Sequence, residues 1–348
     1  AIAKQEWMVG QTQRMPNLCD ERSRQICCIS LRLGEYMQDR INNLLDFCFD
    51  DEQSIEFQLF LITVKCLIPY ENNIGCLFDK ERYEKEIELF AHYMNGNDET
   101  IDYWLKNKKP SNMNDELLQF KIIPIVLSNT VWENLIDEAL KAVTFYTLNK
   151  NTILNALLIS SVIYEFMNNA EIESIKGASR ERLINFSIKE FCAKNEIETD
   201  KNYIIDFEKE RIKMIAMPML FGDNDINNCK VLYYIFENKA AADNLNVSDK
   251  AIEAPTDNEL VSSGNNSSKY STDNNSDILN SFSIYLYKLR KGSINPEKLT
   301  ISDKIPDIKE CLKYPEFSHP LLGRCKVIQR TENEALVRSK SGLMRIRI

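Results

Sequence analysis

KIIPIVLSNTVWENLIDEALKAVTFYTLNKNTILNALLISSVIYEF, residues 121–166, is the stretch on which the fold turns. After Trp132, Leu135, Ile136, Ala139, Leu140 and Val143 recur at three- and four-residue intervals, the stripe of an amphipathic helix. A polar turn at 149–151 leads into TILNALLISSVIYEFM (152–167), which is apolar almost all round. A helix without a polar face has to be enclosed by other helices. The stretch therefore predicts a multi-helix body built around a buried helix.

The neighbouring chain repeats the helical period. Ile41, Leu44, Leu45 and Cys48 mark one face, and Phe57, Phe60, Leu61, Val64 and Leu67 mark another that Pro69 is expected to stop. Tyr83, Ile87, Phe90 and Ala91 lie on a charged helix ending near Asn95-Gly96, a C-cap signature, and a short helix follows around Thr100–Leu105. Leu117, Leu118 and Ile122 precede Pro124, and further helices are expected at 179–193, 203–220, 225–237 and 277–291. From 237 to 277 the composition shifts to Asn, Ser, Asp and Ala, which predicts a disordered insertion. Beyond Pro306 the segments CKVIQR, ALVRSK and LMRIRI alternate between TENE and SG turns, the pattern of an antiparallel meander.

Composition narrows the function. The 348 residues are 44% apolar and 27% charged, with a net charge of −9, so attraction to nucleic acid or to an anionic membrane is not expected of the whole molecule. No run of about 18 apolar residues occurs, and AIAKQEWMVGQTQR lacks the plan of a signal peptide. Ten cysteines without a C-x-x-C pair, several inside apolar helical patterns, read as reduced, buried thiols of a cytoplasmic protein. Two histidines, His92 and His319, lie far apart, which leaves no histidine pair for catalysis.

Three places in order resemble the ADP-ribosylglycohydrolase family. The first is 121–166, similar to that family's central helix pair, in which Lys121-Ile122-Ile123-Pro124 stands for an R-I-x-P segment and Thr147-Leu148 for a Thr-His turn without its histidine. The second is Asp273, Asn274, Asn275, Ser276, Asp277 and Ile278, which take the places of a G-G-D-T-D-T motif. Gly292 lies at the family's helix-ending distance from Asp277, and Asn295-Pro296-Glu297 resembles the I-P-E that follows. The third is Ser54, Ile55, Glu56 and Phe57, in the places of T-D-D-T. The resemblance covers roughly 40–300 and implies an all-α, multi-helix ADP-ribosylglycohydrolase-like bundle, to which the meander adds a small C-terminal antiparallel β element. The implied organisation is an N-terminal extension (1–30), a helical domain (31–300) containing the insertion, and the meander (301–348).

The same comparison predicts lost chemistry. Two magnesium ions need several carboxylates at two helix starts, where the helix dipole already disfavours cations. Here Glu56 and Asp277 remain, with Ser54, Asn275 and Ser276 as neutral oxygens, while Ile55, Phe57 and Ile278 put apolar groups where ligands belong. Taken by itself, Asp277 with Ser276 also reads as a simple N-cap of a helix at 278–290, and Glu56 as a solvated helix residue. The expected function is that of a pseudoenzyme, a ligand- or protein-binding module that needs no cofactor and takes an ADP-ribose-like ligand or a protein partner. The alternatives are a residual magnesium-dependent ADP-ribosyl hydrolase with Glu56 and Asp277 as metal ligands, and a helical structural subunit. A second candidate surface lies in the meander, where Arg324, Lys326, Arg330, Arg338, Lys340, Arg345 and Arg347 face only Glu332 and Glu334. Alternation places several of these cations on one face, either a solvated face or a patch for an anion or partner, and no interleaved aromatics suit it to bases.

Overall fold

A computed structural model describes residues 37–71, 74–217, 220–222, 226–237, 273–294, 305–340 and 342–348. The expected N-terminal extension, residues 238–272 of the expected insertion, and Asn295-Pro296-Glu297 lie outside the described residues.

At the centre is α5 (Leu118–Ser128), all eleven of whose residues are buried. It runs through Pro124 without ending there, and the carbonyls beyond the proline are satisfied by side chains at the helix end: Ser128 Oγ donates to the Pro124 carbonyl at 2.6 Å, and Asn129 Nδ2 donates to the Ile125 carbonyl at 3.0 Å. Around it pack α2 (Ile55–Lys65), α6 (Trp132–Tyr146), α7 (Lys150–Met167) and, from the far end of the chain, α12 (Asp273–Arg290). The all-apolar stretch forms α7 as expected, capped by Asn149, whose side chain accepts from the Thr152 amide. The turn between α6 and α7 is stitched to residues 111–113 by Ser111 N to Tyr146 O, Leu148 N to Ser111 O, and Thr147 Oγ1 to Met113 O. Residues 37–48 (α1), α3 (Lys80–Phe90), α4 (Glu99–Asn107), α8 (Ile172–Asn185), α9 (Ile188–Lys194), α10 (Lys201–Ala216), residues 230–237 (α11) and α13 (Ile308–Cys311) complete the described helices.

The expected all-α class is overturned by six strands. The fold is mostly helical α+β. One sheet sits inside the helical part: β1 (Leu67–Pro69) pairs antiparallel with β2 (Cys76–Phe78). The helix expected to run on to Pro69 ends at Lys65: Pro69 keeps Ile68 extended, and pairing with Cys76–Phe78 takes Leu67–Pro69 into a strand. The free edge of β2 finds its acceptors on helices, with Cys76 N donating to Asn129 Oδ1 at 3.0 Å and Phe78 N to Glu138 Oε2 at 2.8 Å.

The second sheet follows the meander and adds a strand. Its order is β3 (Glu316–His319), β4 (Gly323–Arg330), β5 (Glu334–Ser339) and β6 (Gly342–Arg347), antiparallel throughout, with a bulge between Val327 and Gln329. EFSH was too short and polar to announce β3. The inner face, with Cys325, Ala335, Val337, Met344 and Ile346, belongs to the same apolar cluster as α5 and α7. The Arg347 amide donates to the His92 carbonyl, which ties β6 to the end of α3.

The helix expected at 277–291 starts four residues earlier. Residue 237 belongs to α11, and α12 begins at Asp273, so Asp277 lies in the second turn of a helix and does not cap one at 278.

Candidate functional site

The two helices that carry the acidic candidates both pack on α5 and touch each other through one ring. The Phe282 ring of α12 stacks edge-on against Phe57 (6.1 Å) and Phe60 (5.7 Å) of α2. At their other ends, α2 leads into the β1–β2 ribbon beside Asn129, and Arg290 closes α12 by donating to the carbonyls of Leu127 and Asn129. Helices α2, α5 and α12 therefore run in the same direction, and the starts of α2 and α12 share one end of the body. Glu56 lies in the first turn of α2 and Asp277 in the second turn of α12, five residues before the ring that meets Phe57.

The packing around the start of α2 is aromatic. Phe49 packs against Phe57 (5.7 Å), Phe60 (4.7 Å) and Phe120 (5.6 Å), which with Phe282 makes a cluster of five rings where the α1–α2 turn, α2, α5 and α12 meet. Ser54 Oγ is committed to capping α2, accepting from Phe57 N at 3.2 Å. Glu56 is a half-buried first-turn acid, placed well for the dipole of its own helix. Asn275, Ser276 and Asp277 lie on helical backbone where the resemblance requires a loop, and the side chains of 273–277 are outside the described residues. The other nearby acids are engaged too: Asp50 pairs with Lys230 at 3.1 Å, and Asp51 Oδ1 accepts from the Gln53 amide. Burial, and secondarily Asp51, hold the Glu52 carboxyl above its usual range. These donors do not fit a two-magnesium centre, and among the described residues no group of three His, Cys, Asp or Glu side chains is placed to hold a metal ion.

Lys121 marks the strongest buried electrostatics, and sequence reasoning treated it only as a stand-in for arginine. Its ammonium is fully buried and lies 2.6 Å from Asp98 and 2.9 Å from Asp115, donates to Thr100 Oγ1 at 3.1 Å, and sits 4.1 Å from the Tyr146 ring centre. Both carboxylates also bind backbone: Asp98 caps α4 through Thr100 N and Ile101 N, and Asp115 accepts from Leu117 N at the entry to α5. Burial works against the charge on Asp98, yet Lys121 and these hydrogen bonds outweigh it and hold its carboxyl below the usual range. Asp115 is pushed up, by burial first and then by Asp98, more than Lys121 can reverse. Burial would lower Lys121, but the two aspartates outweigh it and raise it. The cluster ties three elements together. The signal for it was visible as one cation inside the apolar run KIIPIVL.

Beside this cluster a cavity of about 800 Å³ opens between α5, α7 and the segment leading into α11, floored by Leu118, Phe120, Leu158, Ile159 and Phe221. Gln119 contributes an oxygen that is already used, accepting from Cys229 Sγ and Val231 N. Lys230 at the rim is engaged by Asp50 and the Cys48 carbonyl. Asn114, Asp115, Glu116, Asn155 and Asn228 line the rest of the hollow, which has no uncommitted lysine or arginine among its described lining residues.

The meander patch is divided by its register. Lys326 lies opposite Arg338, Ser318 opposite Arg324, and Leu336 opposite Arg345, all on the outer, exposed face. Arg347 sits at the edge, reaching the Met94 carbonyl, and Arg330 is drawn to the Leu312 carbonyl. Lys340 is exposed at the β5–β6 turn. Compared with protein-family models, curated proteins and solved structures, the chain matches none.

Proposed function

We propose that this chain is a protein-binding module and not a working hydrolase, a degenerate counterpart of the ADP-ribosylglycohydrolases it resembles at three places. The observation that carries this reading is the five-phenylalanine cluster that surrounds the start of α2 and packs it against the middle of α12. Phenylalanine offers no lone pairs to a hard cation, and water able to attack a ribose carbon has no polar group to hold it among packed rings. The cavity favours a protein partner over ADP-ribose, because a diphosphate needs cations or free backbone amides and Lys230 is already paired. Thiols that are free at every described cysteine support a place in the cytoplasm. No described helix is long and apolar enough to cross a membrane.

Isothermal titration with ADP-ribose, with and without magnesium, tests the reading alongside an assay for ADP-ribose release from a modified protein. We expect no magnesium-dependent heat and no release. Magnesium-dependent binding that disappears in Asp277→Ala would restore the residual hydrolase in its place.

A further inference from the structure

We infer that the outer face of the C-terminal sheet is the docking surface for an acidic protein segment that carries apolar residues between its carboxylates. The inference names the partner of the binding module proposed above and rests on that reading. Across the sheet, Glu316, Lys326, Arg338 and Leu343 stand in one row, and Gln329, Leu336 and Arg345 in the next. Lys326 and Arg338 are directly opposed like charges, an arrangement that destabilises a strand pair unless an anion lies over it. Glu316 reaches Lys326 at 3.3 Å and Glu334 reaches Arg345 at 3.2 Å, while Arg324 and Arg338 have no carboxylate partner among the described residues.

Charge complementarity selects an acidic partner, and the apolar groups select its class. Leu343 (36% exposed) stands among the cations on this face beside Leu336, and Ile328 (47%) is exposed at the bulge between Val327 and Gln329. A nucleic-acid backbone has no use for them, and the face presents no aromatic ring on which a base could stack. The chain's net charge of −9 also opposes a long polyanion, whereas a short acidic segment feels mainly the local field. An extended peptide alternating acidic and apolar residues would place carboxylates over Lys326, Arg338 and Arg345 and aliphatic groups over Leu336 and Leu343.

The test is fluorescence anisotropy of the full chain with a labelled peptide alternating glutamate and leucine, repeated with Lys326→Glu/Arg338→Glu and with Leu343→Ser. We expect saturable binding that weakens with salt, falls about tenfold or more in the charge-reversed variant and roughly threefold in Leu343→Ser. Should charge reversal unfold the protein, Lys326→Gln/Arg338→Gln reads the same contact. Equal affinity in wild type and variants overturns the inference, as does tighter binding of a single-stranded oligonucleotide or of phosphatidylserine vesicles. ADP-ribose release is measured on the same preparation. If release occurs, the module reading fails whatever the peptide does; if neither release nor peptide binding occurs, the docking surface alone fails.

Discussion

Lys121 shows how much one residue can hold. It neutralises two carboxylates that each bind backbone at a helix entry, so its loss would strand both acids in the interior. Lys121→Met should lower stability by about 3–5 kcal/mol, seen as a fall in the urea midpoint. The triple variant Asp98→Asn/Asp115→Asn/Lys121→Met should lose less than the single one, and a larger loss would contradict an electrostatic origin. The pH dependence separates the two aspartates. Asp98 titrates below its unfolded value, so its contribution is present above the ordinary carboxylate range and is lost as pH falls through and below it. Asp115 titrates above its unfolded value and acts with the opposite sign: its ionised form costs stability, and acidification relieves that cost. Asp98→Asn should therefore flatten the acid limb of stability at and below the ordinary carboxylate range, and Asp115→Asn should steepen it above that range. An unchanged limb in both variants would remove these carboxyls from the account.

At the scale of elements, the β1–β2 ribbon depends on one glycine. Gly75 has φ +108°, and a Cβ there would overlap Asn129 Oδ1, the atom that accepts the Cys76 amide. Gly75→Ala should cost on the order of 3 kcal/mol, from backbone strain and a lost hydrogen bond at a buried edge. A thermal midpoint within a degree or so of wild type would show that the ribbon can rearrange. This ribbon is also where sequence reading failed. The run of apolar residues from Phe57 to Leu67 fits a helix, and three-residue strands carry too little alternation to stand out. Long periodic elements such as α6 and α7 were legible because their apolar stripes exceed any local ambiguity, and β4 to β6 because their alternation is broken by turn residues. The helix expected at 277–291 begins four residues earlier, at Asp273, and that first turn was missed because Asn, Ser and Asp compete for backbone hydrogen bonds and resemble a linker. The candidate site was legible only as an order of motifs. That Phe282 would meet Phe57 and Phe60 is a contact across more than two hundred residues, which no local pattern encodes.

For the molecule as a whole, the sheet and the helices share one apolar cluster, so the meander should not be removable. Ending the chain before Ile305 should abolish cooperative unfolding of the helical part, as followed by far-UV circular dichroism. A truncated chain that melts at the wild-type midpoint would mean that the inner sheet face contributes nothing to the body. The shared cluster also encloses the thiols. Cys66 and Cys76 in the ribbon region, Cys192 on α9, Cys229 before α11 and Cys325 on β4 are free and buried, and burial raises each of their pKa values. A protonated thiol shut inside is inert to alkylating reagents until its own surroundings open. Each of these cysteines is therefore a built-in timer for one part of the protein, and pulsed alkylation read by mass spectrometry would return, without any added probe, the order in which ribbon, helices and sheet come apart.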